Sequence, residues 1–583
     1  MRRFKILPIV LAGVIFLSAC STEVFEEEVR GGTLQLRTAA EGIASLDPQR
    51  VYSDRDVAIV STYLHRTLVT YDMKTGGAGS VLVPDLATDL GRPSNNNKTW
   101  QFSLKDNVVF EDDRPITCYE IKYAVSRSFA TLAITGGHPY ARRYLDIPVK
   151  KNGQSQYLGP YKAKALNQAL FDNAVECSAD GTEITFHLNQ SMPDFNYVVA
   201  SPAFAPVPLD ESGRPGSRYE EKPLASGPYR ISDQSSVNSL LLIRNLKWSN
   251  DDVRRALPDQ VLITSNLTAN ETVTELIEGI NLGTDALNLD GLGDADLLRI
   301  FNDPVFENQR VNDLENTMSA IMFNLETVSC ASLRRAIYYA LNRNEMLNKD
   351  RGEIFGPELI PSLLTPSLFP SFATPMTGLE DLLETGNKER AQSLLLEAKN
   401  ECPQIHKRAT TKDLGLRMLV WDSDVAIAQA ESVSKAANKV GIQVSLKVVS
   451  AGSYYAYLRN PNKRGDLFML VMTPEWLHPA SLAREFLLPG GFRQFMGSGN
   501  SEEFKSFMDS FSQVLQIESD EEQRDAWVAI NQQLMDKTIL LPLFQYRTQF
   551  FWGSNVTSVG VWSAFSVPVF NDLGLKVVAS DIE

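Results

Sequence analysis

The chain has 583 residues with 56 Lys and Arg against 71 Asp and Glu, a formal net charge of −15, and no clustered basic run of the kind that phosphate binding needs. That excludes a nucleic-acid partner, and the acidic balance by itself indicates only solubility. A composition of 43% hydrophobic and 22% charged residues, with 35 Gly and 29 Pro, excludes collagen-like, low-complexity and disordered classes and fits a body of two or three lobes, each with its own core.

Arg2, Arg3 and Lys5 precede an apolar run from Ile6 to Ala19. At about 14 residues the run falls short of the roughly 20 a spanning helix needs, so it reads as a signal peptide. It ends in Leu17-Ser18-Ala19-Cys20, which resembles the bacterial lipobox; the resemblance implies cleavage before Cys20 and lipidation of its thiol. Ser21 to Arg30, with four Glu, would then be a polar tether. No later run is apolar enough to span a membrane, so everything after Cys20 is expected outside the cytoplasm, where disulfides are permitted. Cys118, Cys177, Cys330 and Cys402 remain, with three possible connectivities. Pairing Cys118 with Cys177 and Cys330 with Cys402 is favoured because each pair falls inside one proposed lobe. Metal binding is the alternative, without CxxC or His-Cys clustering to support it.

Gly31 to Arg37 alternates apolar and polar residues after a glycine pair, as an opening strand does, and Leu46-Asp47-Pro48 breaks the pattern. The spacing of Val57, Val60, Leu64 and Leu68 predicts a helix from about Asp56 to Leu68. Period-two strands follow at Trp100 to Leu104 and Glu183 to Leu188, with a helix near Cys118 to Phe129 between them, a small α+β lobe. After Ser226-Gly227-Pro228-Tyr229 come a strand at Ser239 to Arg244, a helix near Thr272 to Ile280 and an apolar segment at Asp285 to Leu289. An amphipathic core helix is expected from Ser332 to Leu347. Leu416 to Val449 is the clearest unit: strand, helix from Val425 to Val440, Gly441 as a stop, and strand from Ile442. This is a βαβ crossover, with a third strand at Asp466 to Val471, and ligands of such sheets bind beyond the carboxyl ends of the strands. The division expected is a leader over 1–20, tether over 21–30, domain I over 31–71, 201–300 and 541–583, inserted domain II over 72–200, and domain III over 301–540.

No nucleophile elbow, phosphate loop or HExxH helix is present, and the five histidines (65, 138, 187, 406 and 478) are scattered. Gly291-Leu292-Gly293-Asp294-Ala295-Asp296 begins like a dinucleotide fingerprint but ends in Asp where a small residue belongs. A Ser-His-Asp site built from distant residues leaves no spacing to read. The expectation is a protein that is not an enzyme and needs no cofactor.

Several segments together resemble the oligopeptide- and dipeptide-binding proteins of bacterial ABC importers, the extracellular solute-binding proteins of family 5. They include Pro84-Asp85-Leu86-Ala87; Phe110 to Thr117 (Phe-Glu-Asp-Asp-Arg-Pro-Ile-Thr); Gly227-Pro228-Tyr229-Arg230; Met322-Phe323-Asn324; Leu333 to Arg343; Lys439-Val440-Gly441-Ile442; and Leu541-Pro542-Leu543. The resemblance implies an α/β type II periplasmic-binding-protein-like fold of two lobes with a third, smaller inserted α+β domain. Such a protein closes around its ligand and docks on a permease, most simply as a monomer. Asp113 stands where the family usually has glycine. The family's Trp-x-x-Asp-Tyr-type segment becomes Met472-Thr473-Pro474-Glu475-Trp476-Leu477-His478-Pro479, with Glu475 replacing the aspartate that pairs with a peptide ammonium in relatives. By resemblance, Val471 to Thr473 and the loop Val51 to Asp54, which includes Tyr52 and Asp54, hold the peptide backbone as an added strand. Tyr52, Tyr140, Trp476 and Tyr546 are the aromatic-wall candidates, with core packing as the plain alternative for each. Two rivals stay open: the same fold holding a nickel complex, oligosaccharide, opine or siderophore-like compound, and a lipoprotein receptor or chaperone without an importer.

Overall fold

The structure is a computed structural model that describes residues 31–162, 165–248, 253–373, 384–487, 494–497 and 502–576. The leader, Cys20 and the tether lie outside the described residues. Three sheets organise the chain. In the first, Thr33–Arg37 pairs in parallel with Gln260–Thr264 on one side and Ala286–Asn288 on the other; Ser239–Arg244 and Tyr229–Ile231 continue it antiparallel. Leu34 to Arg37 are all buried, so this strand is covered on both faces, and its one charge, Arg37, is met by Glu275 at 2.8 Å.

The first helix, Asp54–Tyr63, starts where Ser53 accepts the Asp56 N–H, with two acidic residues at its positive end. It stops before the expected Leu68 because the buried carboxylate of Asp85 captures the Thr67 N–H at 3.0 Å and the Arg66 Nε at 2.7 Å, and the strand Val69–Tyr71 begins at once. The expected helix over 332–347 is two, Ala331–Ala340 and Arg343–Leu347, since the Asn342 side chain accepts the Glu345 N–H and caps a new start.

The second sheet is antiparallel throughout: Arg92–Ser94, Thr99–Ser103, Glu183–His187 and Val175–Cys177. Its alternating Trp100, Phe102, Ile184 and Phe186 are buried. Helix Cys118–Arg127 opens with a capping box between Thr117 and Glu120 and is tied to the edge strand by the Cys118–Cys177 disulfide. Asp113, in the position where glycine is usual, takes φ +70° in a turn closed by the Phe110 N–H to the Arg114 carbonyl at 2.9 Å, and its exposed carboxylate lies 2.6 Å from Lys247.

The third sheet runs in the order Glu358–Leu359, Leu540–Phe551, Arg310–Phe323, Leu467–Met472, Leu416–Trp421, Val444–Val449. The crossover is as expected: Leu416–Trp421 is parallel to Val444–Val449, helix Asp424–Lys439 joins them, and Gly441 sits at φ +99°. Cys330 and Cys402 are bonded here. The two disulfides span sequence separations of 59 and 72 residues, and restricting loops of that length in the unfolded chain stabilises the fold by about 4 kcal/mol each in chain-entropy terms.

Two long strands, Arg310–Phe323 and Leu540–Phe551, form the spine of this sheet and were not among the expected elements. The expected boundary at 540/541 falls inside the second of them. Trp552, just beyond it, bridges to Leu287 of the first sheet, so this strand pair runs between lobes. Its register slips at Ser319/Ala320, opposite Pro542, which has no N–H to give, and again between Leu314 and Met318.

Candidate functional site

A cleft of about 1110 Å³ opens where the three lobes meet, lined by the loop 52–54, the segment 136–143 and the loop 473–475. The helix start at Ser53 fixes the first loop and leaves Tyr52 67% exposed. Gly136 and Gly137 take φ +81° and +68°, and a Cβ on Gly137 would lie 2.0 Å from the Gln49 carbonyl oxygen. Only glycine allows that approach, which sets His138 beside Tyr52. His138 Nε2 lies 3.1 Å from the Tyr52 carbonyl and donates to it. Burial lowers the pKa of His138, opposed by its hydrogen bond to the Tyr52 carbonyl.

A file of rings follows. Tyr52 meets His138 edge-on at 5.1 Å, His138 meets Tyr140 at 4.7 Å, and Tyr140 meets Trp476 at 5.3 Å. The short helix Tyr140–Tyr144 buries Tyr140, Ala141 and Tyr144, which directs Arg142 and Arg143 to the cleft. Arg143 Nη1 lies 3.4 Å from Glu475 Oε1, and its guanidinium lies 5.3 Å from the centre of the Tyr144 ring. Asp54, first residue of its helix, opens into the cleft; the protein packed around it raises its pKa, opposed by the Asn316 amide at 3.4 Å.

Behind Glu475 the third lobe is latched to the inserted one. Asp194, before the helix Phe195–Val199, accepts two bonds from Arg484 at 2.5 and 2.7 Å and one from Trp476 Nε1 at 2.7 Å. Burial alone would push the Asp194 carboxyl up, but Arg484 outweighs it and holds the group below its usual range. Burial drives the neighbouring His478 down to about 4.

Of the residues expected at the site, Tyr52, Asp54, Tyr140, Thr473 and Glu475 line the cleft. Trp476 is buried behind it. Val471 and Met472 sit in the strand, paired with Ser319 and Met318 along one edge, while the pairing with Leu416–Trp421 on the other edge stops at Phe468. Tyr546 is not among the lining residues. The arginines, His138 and Glu485 line the cleft without having been anticipated; the Gly136-Gly137 and Arg142-Arg143 doublets were the available signal. Among the described residues, no group of three or more His, Cys, Asp or Glu is placed to hold a metal ion, and no helix is long and apolar enough to cross a membrane.

The chain belongs to the bacterial extracellular solute-binding proteins of family 5, whose model matches residues 81–494. Over 218 residues it is 25% identical to the periplasmic murein peptide-binding protein MppA of Escherichia coli (strain K12), a match covering 36% of this chain and 35% of that protein, so about a third of that relative's length is spanned. Among solved structures, the clavulanic acid biosynthesis oligopeptide binding protein 2 is 26% identical with a TM-score of 0.74, covering 94% of this chain and 96% of that one. The unliganded open form of MppA, at 16% identity, shares the fold with a TM-score of 0.69 over 93% of this chain and 97% of that one. The fold is therefore the expected α/β type II binding-protein architecture with an inserted α+β domain.

Proposed function

We propose that this protein is an extracytoplasmic lipoprotein that captures short peptides in the interlobe cleft and delivers them to an ABC permease, without catalysing a reaction. The observation that carries the reading is the cleft itself: carboxylates at Asp54 and Glu475 stand on an aromatic wall with arginines beside them, a set suited to a zwitterionic ligand. Thr473, which follows the strand Leu467–Met472 directly and lines the cleft, lies beyond the last pairing of that strand with Leu416–Trp421 and suits backbone pairing by an added strand. Relatives whose names specify peptides support the same class. Capture would then shift open and closed populations by contacts that both lobes make only when closed.

The Arg143–Glu475 pair favours the second reading, a non-peptide solute in the same fold, because Glu475 already has a cation partner. Titration with pools of di- to pentapeptides, read by tryptophan fluorescence because Trp476 backs the cleft, separates the two. Saturable quenching or enhancement is expected with peptide pools. No change with any pool, alongside a response to an oligosaccharide or metal-chelate pool, would establish the second reading instead.

A further inference from the structure

We infer that Arg142 receives a carboxylate of the bound ligand, so that the cleft selects peptides presenting an anion beside their ammonium group. The inference rests on the peptide reading for its ligand class. It begins with the helix Tyr140–Tyr144, whose burial of Tyr140, Ala141 and Tyr144 leaves both arginines on the cleft side. They are not equivalent. Arg143 has Glu475 at 3.4 Å and the Tyr144 ring beneath it. Arg142 has no hydrogen bond or ion pair with any described residue, although it is half-buried and lines the same wall.

A guanidinium stays charged, so partial removal from water without a partner carries a cost that an anion would offset. Burial lowers the Arg142 pKa, and no carboxylate opposes that shift. The acids that line the cleft do not supply one: Glu475 faces Arg143, Asp54 faces Asn316, and neither they nor Glu485 acts on Arg142. The planar fork of an arginine matches a carboxylate with two parallel bonds. An anion brought by the ligand therefore completes the site, and its position next to the Arg143–Glu475 pair places it near the ammonium subsite. Two sources carry that chemistry, the peptide C-terminus and an acidic side chain.

Calorimetric titration of the full-length protein, its R142Q variant and its R142K variant tests this with two peptide pairs. Ala-Ala-Ala against its C-terminal amide probes the terminus, and Ala-Glu-Ala against Ala-Gln-Ala probes the side chain. Wild-type protein is expected to prefer the anionic member of one pair by about ten- to a hundredfold, the range of a charge-assisted bond, and that pair identifies the source. R142Q should erase the preference, weakening the anionic member about ten- to a hundredfold more than the neutral one. R142K keeps the charge without the fork and should reduce the preference severalfold, and it carries the comparison if R142Q does not fold. An undiminished preference in both variants, equal weakening of both members of a pair, or no preference in wild type would overturn the assignment while leaving peptide capture standing. Absence of binding by all four peptides to wild type would instead sink the peptide reading and this inference with it.

Discussion

Asp194→Ala is expected to lower stability by about 3–5 kcal/mol, the range seen when one member of a buried ion pair is removed. Asp194 is fully buried, and its loss leaves the Arg484 guanidinium charged and enclosed with two unmade bonds, and Trp476 Nε1 without its acceptor. Asp194→Asn keeps the shape and an acceptor oxygen, so it should recover part of the loss. Urea denaturation of the three proteins at pH 7 reads the difference. The pH dependence has a definite sign. The folded carboxyl is held below its usual value, so its contribution is full above about pH 4 and is lost as the pH falls through the folded pKa. The gap between wild type and Asp194→Ala should therefore narrow only in acid. A gap below 1 kcal/mol at pH 7 would show that the latch between the inserted and third lobes is not formed in solution.

Glu475→Gln is expected to weaken binding of free-amino peptides by about ten- to a hundredfold, the worth of a hydrogen bond to a charged group once the bound peptide covers it. Its effect on stability should stay within about 1 kcal/mol, because Arg143 and Glu475 are 39% and 31% exposed and such pairs contribute little. The control is chemical. N-acetylated peptides carry no ammonium, so wild type and variant should bind them equally. A variant that loses acetylated and free peptides to the same extent would mean that Glu475 shapes the cleft instead of pairing with an ammonium group.

How much of this was legible in the sequence depended on whether the signal was local. The crossover at 416–449 carried its own evidence in the order and spacing of strand, helix and strand and in the Gly441 stop, and the structure follows it closely. Ser239–Arg244 matched residue for residue. The helix expected to reach Leu68 ended early because a carboxylate 18 residues away in sequence captured the Thr67 N–H, which periodicity does not register. Arg310–Phe323 escaped notice for a related reason: its first half, Arg-Val-Asn-Asp-Leu-Glu-Asn, is too polar to announce a strand and is held by the register of Leu540–Phe551. The site divided the same way. Tyr52, Asp54 and Glu475 came from short stretches of resemblance and Tyr140 only from its aromatic character, whereas Arg142 and Arg143 acquire meaning only once the burial of Tyr140, Ala141 and Tyr144 turns them to the cleft. Asp194 had no local signal at all, since both partners lie about 290 residues away.

Native mass spectrometry of the purified protein, with fragmentation of whatever it carries, tests peptide capture most directly. The account predicts a family of short-peptide masses that is depleted when Glu475 is replaced by alanine. A single non-peptide mass, retained by the Glu475→Ala variant, would contradict it.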